Sequence, residues 1–217
     1  MAAETLIKGN ELFQQSYFKK NEKELLRLAK EGQNPKTLYI GCSDSRVIPD
    51  LMMQTKPGDM FVIRNVGNFV APYSPSLDYH STASAIEYAV SVLKVEEIII
   101  CGHTHCGACK AQFDTIDNPE LIHTKQWLKL GAPAKDLAVK AIGADADMER
   151  LLRLTEQFSI ITQLENLLTY PSVQSRVKSG EIRIHGWYYD IESGVIEYYD
   201  PEYSLFQPLS FLEDSEA

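Results

Sequence analysis

Residues 95–107, "VEEIIICGHTHCG", decide the fold. The isoleucine run is typical of a strand that is buried on both faces, as strands of parallel sheets are. The run ends at a cluster of histidine and cysteine side chains. Functional groups collect just beyond the carboxyl ends of parallel strands, so this junction is also the first candidate for a functional site.

Strands and helices alternate on both sides of this stretch. Short apolar runs bounded by turn signals predict further strands, at 36–41, at 59–66 and, around an "ESG" turn, within 181–199. Apolar residues at helical spacing predict helices over 10–32, 81–93 and from Ser159 to Tyr170, where Pro171 ends the last one. Residues 112–147 are less regular and are predicted to cover the surface with short helices.

This order of elements predicts an α/β fold. Alternating strands and helices imply a mostly parallel central β-sheet flanked by helices. We expect an antiparallel strand at the C-terminus and a helical arm at the N-terminus. The sequence shows no repeat, linker or low-complexity tract, which indicates one domain over residues 1–217.

Composition excludes several classes of protein. The 217 residues, 44% of them hydrophobic, suffice for one substantial core. Thirty acidic against 21 basic residues give a net charge of −9, which argues against a surface for nucleic acid or anionic membranes. The first residues lack a secretory signal, and no apolar stretch approaches the roughly 20 residues that cross a bilayer. We therefore expect a soluble protein of the cytoplasm.

Three residues have the pattern of a metal site: Cys42, His103 and Cys106. Cys42 and His103 each follow a predicted strand, so adjacent strands would bring them to one edge of the sheet. Cys106 lies three residues past His103, which is one turn if a helix begins there. Two thiolates and one imidazole suit tetrahedral zinc, and three protein ligands leave a fourth position open for chemistry.

The segment "CSDSR" at 42–46 supplies two more candidates. In an extended segment, Cys42, Asp44 and Arg46 would share one face, placing Asp44 near the open position of the metal. Arg46 would pair with Asp44 and keep it ionised. Such a carboxylate can orient a metal-bound hydroxide, or it can occupy the open position itself.

Together, "CSDSR" and "GHxxCG" behind a strand resemble the β-class carbonic anhydrases, and the likeness extends from about Gly32 to Gly194. The resemblance implies a lyase that reversibly hydrates carbon dioxide to bicarbonate and a proton. In it, Cys42, His103 and Cys106 bind Zn²⁺, and an Asp44–Arg46 dyad orients the zinc-bound hydroxide. It also implies substrate-binding residues, some contributed across a dimer interface: Gln33, Phe61, Val66, Tyr88 and Gly107.

The resemblance further implies a homodimer or homotetramer, with residues 1–31 as an arm that packs on a partner subunit. The chain looks more like the plant-type branch of the family than the bicarbonate-regulated branch. The regulated branch has a tryptophan where this chain has Tyr39, although Arg64 and Tyr189 resemble other parts of the regulatory site.

Three other interpretations remain open. A hydrolase of carbonyl sulfide or carbon disulfide, as in some relatives, would use the same zinc site. A fourth ligand from Asp44, His105 or Cys109 would instead make a closed, zinc-stabilised interaction module. Finally, "CGAC" at 106–109 also fits a thioredoxin-like dithiol, but that reading leaves "CSDSR" and His103 without a role. Cys101, inside the strand, is expected to be a buried apolar residue.

Overall fold

A six-stranded sheet lies at the centre of the computed structural model, which describes residues 2–76 and 79–209. In chain order the strands are β1 (Thr37–Cys42), β2 (Met60–Asn65), β3 (Glu97–His103), β4 (Arg183–Tyr189), β5 (Ile196–Asp200) and β6 (Leu205–Pro208). Along the sheet they follow the order β2-β1-β3-β4-β5-β6. The first four are parallel, and β5 and β6 are antiparallel additions, so the predicted fold class is confirmed.

Helices flank the sheet. The α-helices of the described residues are α1 (Ala2–Phe13), α2 (Glu22–Glu31), α3 (Pro49–Met53), α4 (Ser81–Glu87), α5 (Gly107–Lys110), α6 (Ile122–Leu128), α7 (Ala132–Ile142), α8 (Met148–Leu167) and α9 (Pro171–Lys178). Two π-helical segments, Gln14–Phe18 and Tyr88–Leu93, continue α1 and α4. Short 3₁₀ segments lie at Val66–Asn68 and Lys129–Gly131. Within the described residues, every helix is too short or too polar to span a membrane.

Both faces of the central strands are covered. Successive residues of a strand point to opposite faces, so Ile98 and Ile100 of β3 enter one core while Ile99 and Cys101 enter another. All four side chains are buried. This packing explains why the run of isoleucines shows no alternation with polar residues, and Cys101 is the buried apolar residue that was expected.

Helix α8 packs directly against β3 and β4. Gly102 and Gly186 lie beneath the fully buried side chain of Ile160. A Cβ added at Gly102 would lie 2.7 Å from Ile160 Cγ1, and one added at Gly186 would lie 2.8 Å from Cγ2. The two glycines therefore permit a close approach of the helix to the sheet, immediately beside His103.

Strand register places the candidate site at one edge of the sheet. Gly41 of β1 lies beside Cys101 of β3, so Cys42 and His103 both lie at the carboxyl ends of adjacent parallel strands. On its other side, Cys42 pairs with Asn65, the last residue of β2. The topology thus gathers residues that are far apart in the sequence.

Several boundaries differ from the predictions. The last predicted helix begins at Met148 rather than Ser159, with Asp147 as its N-cap. Its first turns contain Thr155 and Glu156, two buried polar residues that interrupt the apolar pattern. Pro171 does follow the end of that helix, but it also opens α9, which was not predicted. Strand β6 was missed as well.

Candidate metal centre

Three predicted ligands meet at the carboxyl edge of the sheet. Cys42 ends β1, His103 ends β3, and Cys106 lies immediately before α5. Their donor atoms all lie within 4.8 Å of one another, and all three residues are buried. We call this group the Cys–His–Cys trio.

The orientation of the His103 ring fits a metal ligand. Its Nδ1 lies 2.8 Å from the carbonyl oxygen of Thr104, an arrangement that places the ring proton on Nδ1. Its Nε2 is fully buried and has no hydrogen-bond partner among the described residues. A buried nitrogen without a partner costs free energy unless a ligand satisfies it, and Nε2 with two neighbouring thiols matches the donors that zinc takes.

The two thiols resist ionisation while no cation is beside them. A hydrogen bond to Cys106, together with burial, raises the pKa of Cys42 to about 12. A hydrogen bond to Cys109 is the main cause that raises the pKa of Cys106. A divalent cation reverses this preference because it stabilises both thiolates, so ion binding is coupled to the release of protons.

A backbone amide completes the surroundings of Cys42. The N–H of Gly67 lies 3.4 Å from Cys42 Sγ. Gly67 has a φ of +81°, and a Cβ there would lie 2.7 Å from Ala108 Cβ. Only glycine therefore allows the chain after β2 to pass this close to the trio.

Asp44 and Arg46 form an ion pair with two hydrogen bonds. Arg46 Nε donates to Asp44 Oδ1 at 2.9 Å, and Nη2 donates to Oδ2 at 2.8 Å. The backbone N–H of Arg46 also donates to Oδ1, at 3.0 Å. The hydrogen bond from the Arg46 side chain is the main cause that holds the pKa of Asp44 well below its usual range. Asp44 therefore remains a hydrogen-bond acceptor at all ordinary pH values.

Two local conformations differ from the sequence prediction. The segment after β1 is not extended, because the N–H of Val47 donates to the carbonyl of Asp44 at 3.0 Å and closes a turn. No helical turn joins His103 to Cys106 either. Cys106 precedes α5, and His105 between them has a φ of +60°. Tight turns, rather than regular spacing, bring these side chains together.

Arg64 holds the same loop from β2. Its Nε donates to the carbonyl of Cys42 at 2.9 Å, and its Nη2 donates to the carbonyl of Asp44 at 2.6 Å. The resemblance associated Arg64 with bicarbonate regulation. In this structure its contacts fix the backbone that carries one thiol of the trio and the neighbouring carboxylate.

None of the three candidates for a fourth ligand belongs to the trio in the part of the chain that the structure describes. Within the described part of the chain, Asp44, His105 and Cys109 place no donor atom within 4.8 Å of all three ligands. His105 Nε2 instead lies 2.8 Å from Arg153 Nη2. Three protein donors without a fourth is the pattern of zinc sites that carry out chemistry.

The predicted substrate-binding residues fall into two groups within one chain. Val66 directly follows β2, and Gly107 directly follows Cys106, so both lie beside the trio. The rings of Phe61 and Tyr88 contact each other, with centroids 5.8 Å apart, but Phe61 lies four residues before the end of β2, about 13 Å along the strand. Gln33 is exposed between α2 and β1. A single chain therefore does not bring all five residues to the trio.

Sequence reasoning missed Glu156. This residue of α8 is only 3% exposed, and its Oε1 accepts the backbone N–H of Cys106 at 3.0 Å. Its residue type does not distinguish it from the surface acids of an amphipathic helix. The available signal was weak: an acid at a position that faces the sheet.

Known proteins resemble this chain in sequence over most of its length. The family model for carbonic anhydrase matches residues 37–196. A carbonic anhydrase of Synechocystis sp. is 38% identical over 196 residues, which cover 90% of this chain and 70% of that protein.

Solved structures agree. The β-carbonic anhydrase CcaA superposes with a TM-score of 0.89 at 36% identity, covering 95% of this chain and 92% of that one. A tetrameric β-carbonic anhydrase of the ascomycete Sordaria macrospora gives a TM-score of 0.79 at 29% identity, covering 91% and 96%. β-Carbonic anhydrases are zinc enzymes, and the trio offers the donors for that ion. This chain therefore belongs to the β-carbonic anhydrase family.

Proposed function

We propose that this chain interconverts carbon dioxide and bicarbonate at a zinc ion held by Cys42, His103 and Cys106, with Asp44 and Arg46 as the catalytic dyad. The observation that carries the proposal is the buried trio, whose donor atoms lie within 4.8 Å of one another. Membership of the carbonic anhydrase family supplies the reaction class.

Zinc, when bound, acts as a Lewis acid that makes water a nucleophile near neutral pH. Asp44, as a hydrogen-bond acceptor beside the trio, would orient the water that such an ion activates toward the carbon of the substrate. Arg46 keeps Asp44 ionised and fixes its two oxygens through the paired hydrogen bonds. The dyad therefore acts by orientation, and the proton released in hydration leaves to solvent and buffer.

We also propose that the substrate pocket is completed by a second copy of the chain. Gln33, Phe61 and Tyr88 would come from one copy, and Val66 and Gly107 from the other. Two observations support this: Phe61 and Tyr88 pack together away from their own trio, and Tyr88 is 43% exposed despite its size. A related enzyme is tetrameric, which is consistent with a dimer or a pair of dimers here.

We propose that the N-terminal arm, residues 1–31, packs on the partner subunit of that dimer. Within α1, Leu6, Ile7 and Leu12 are each at least 60% exposed, and Phe13 and Tyr17 follow with partly exposed stacked rings. A helix with this much exposed apolar surface gains stability from a partner. We expect removal of residues 1–31 to lower the mass measured by analytical ultracentrifugation to that of a monomer.

A cytoplasmic location completes the proposal. All four cysteines are free thiols, which suits a reducing compartment. Fractionation of the native host followed by immunodetection tests the location.

The test of function compares two buried cysteines. We expect Cys42→Ser to lose both zinc, measured by plasma emission spectroscopy, and carbon dioxide hydration, measured by stopped flow. Cys101→Ser, which removes a thiol that is 1% exposed but outside the trio, should retain both. Full hydration activity in Cys42→Ser would refute the proposal.

A second variant separates the dyad from the metal. Asp44→Asn should keep its zinc while the kcat/KM for carbon dioxide falls by about a hundredfold or more.

Assaying carbonyl sulfide and carbon disulfide in parallel tests the alternative substrates, and faster turnover of either would replace carbon dioxide in the proposal. Failure of azide to perturb the spectrum of the cobalt-substituted protein at any pH would indicate a closed, non-catalytic zinc site.

A further inference from the structure

We infer that Glu156 is a positioning residue of the metal centre, acting through the peptide group that joins His105 to Cys106. The inference rests on the proposed function only in taking Cys106 as a metal ligand. Glu156 itself touches neither substrate nor metal in this role. It holds the backbone from which the Cys106 thiolate projects.

The two ends of this one peptide group are held by different parts of the chain. Its N–H, on Cys106, donates to Glu156 Oε1 at 3.0 Å. Its carbonyl, on His105, accepts from Arg46 Nη2 at 3.1 Å. The C=O and N–H of a trans peptide point in opposite directions, so the two contacts fix the plane from both sides. We call this arrangement the peptide clamp.

Glu156 is itself firmly held. Its Oε2 accepts the hydroxyl of Tyr188 at 2.6 Å and Nη1 of Arg153 at 3.2 Å. The side chain of Glu156 is 2% exposed, so its hydrogen bonds face little competition from water. Helix α8 packs on β3 and β4, so the carboxylate is carried by the core of the fold and not by the loop that it contacts.

The loop needs such a constraint. His105 has a φ of +60°, a conformation that is costly for a residue with a side chain. The amide of Cys106 is also buried, so losing its acceptor would leave an unsatisfied donor. Without the clamp, the strained turn can relax by rotating the peptide, and that rotation displaces Cys106 Sγ from His103 and Cys42.

The clamp also links the metal to the catalytic dyad. Arg46 contributes its Nη2 both to Asp44 and to the carbonyl of His105. A rotation of the peptide therefore disturbs the contact that aligns Asp44 as well as the position of the thiolate. Residues that orient metal ligands through hydrogen bonds typically contribute ten- to a hundredfold to metal affinity or activity.

The experiment uses the zinc-loaded full chain and a matched pair of variants. Glu156→Met keeps the volume of the side chain but removes the acceptor. Gln163→Met is the control: Gln163 lies on the same helix, is fully buried, and accepts the backbone N–H of Val70 at 2.8 Å. Both variants lose one buried acceptor from α8, but only Glu156 contacts the trio. Zinc release to a chromogenic chelator and urea unfolding are measured for each.

We expect Glu156→Met to release zinc about ten- to a hundredfold faster than the wild type, and Gln163→Met to release it at close to the wild-type rate. Glu156→Gln retains an oxygen for the Cys106 amide and should restore slow release. The absorption of the cobalt-substituted Glu156→Met protein should also shift, because the thiolate has moved. Equal release rates in the two Met variants would overturn the inference, as would release from Glu156→Gln that is as fast as from Glu156→Met.

These readouts do not depend on turnover. If the wild type does not hydrate carbon dioxide but the variants differ in zinc release as expected, the peptide clamp is supported and the proposed function is refuted. If Glu156→Met does not fold, Glu156→Asp takes its place, because the shorter side chain keeps the charge but withdraws the acceptor from the Cys106 amide. Zinc release from Glu156→Asp as slow as from the wild type would then contradict the clamp.

Discussion

Replacing Gly102 with alanine should force Ile160 away from the sheet, and removing the Ile160 side chain should relieve that strain. The added Cβ would lie 2.7 Å from Ile160 Cγ1 and 2.8 Å from Cδ1, well inside van der Waals contact. Ile160 cannot withdraw freely, because its Cγ2 also lies above Gly186 and its side chain is fully buried. Overpacking of this kind lowers the free energy of unfolding by about 1–3 kcal/mol.

The two changes are expected to compensate each other. Ile160→Ala alone removes the buried methyl groups and should cost about 2–5 kcal/mol. It also removes both carbons that would collide with the new Cβ at Gly102, which then occupies part of the cavity. The loss of free energy of unfolding in the double variant should therefore be about 1–3 kcal/mol smaller than the sum of the two single losses, which is the range observed for residues in contact.

Urea unfolding at fixed protein and zinc concentrations measures these free energies. Zinc must be held constant because a bound ligand adds to the measured stability. Gly9→Ala is the control, since a Cβ at Gly9 meets nothing within 4 Å and its effect should add to that of Ile160→Ala within about 0.5 kcal/mol. Additive effects of Gly102→Ala and Ile160→Ala would refute the contact-based reasoning.

Three further predictions concern the metal, the dyad and an ion pair at the opposite edge of the sheet. In urea titrations with free zinc at a hundred times its Kd, adding a chelator should lower the free energy of unfolding by about 2.7 kcal/mol. An unchanged midpoint would contradict a zinc site in the folded protein. Arg46→Lys should lower kcat/KM at least about tenfold when it is assayed at zinc loading equal to that of the wild type, because lysine cannot make the paired hydrogen bonds to Asp44. Burial would raise the pKa of Glu97, but hydrogen bonds from Arg183 and His185 lower it below 4.5. Its contribution to stability is thus present above pH 4.5 and is lost as the pH falls through the lowered value, so Glu97→Gln should flatten the decline of the unfolding midpoint in acid.

Local patterns sufficed for most of the elements. The buried run before His103 predicted a strand covered on both faces, and β3 is such a strand. The helix predicted over 10–32 does end at this boundary, where Gly32 caps α2 with a φ of +84°. Prediction was weaker where tertiary partners alter the pattern: the start of α8 was missed because Glu156 is a buried acid, satisfied by residues distant in the chain.

The candidate site was predictable in composition but not in conformation. Parallel strands end at a common edge, so strand assignment alone placed Cys42 near His103. The pairing of Asp44 with Arg46 followed from charge and proximity in the sequence. The turn at Asp44 and the left-handed conformation of His105 did not follow, since both depend on acceptors and donors that other elements supply.

The sequence by itself therefore determined the alternation of helices with strands β1–β5 and the chemical identity of the metal donors. These depend on local periodicity and on residue type, which a linear sequence records directly. Only the tertiary structure decided how Cys106 is held, because Glu156 and Arg46 reach its peptide group from positions about fifty and sixty residues away. These hydrogen bonds form only after α8 has packed on the sheet and β1 has paired with β3, and no local pattern encodes their geometry.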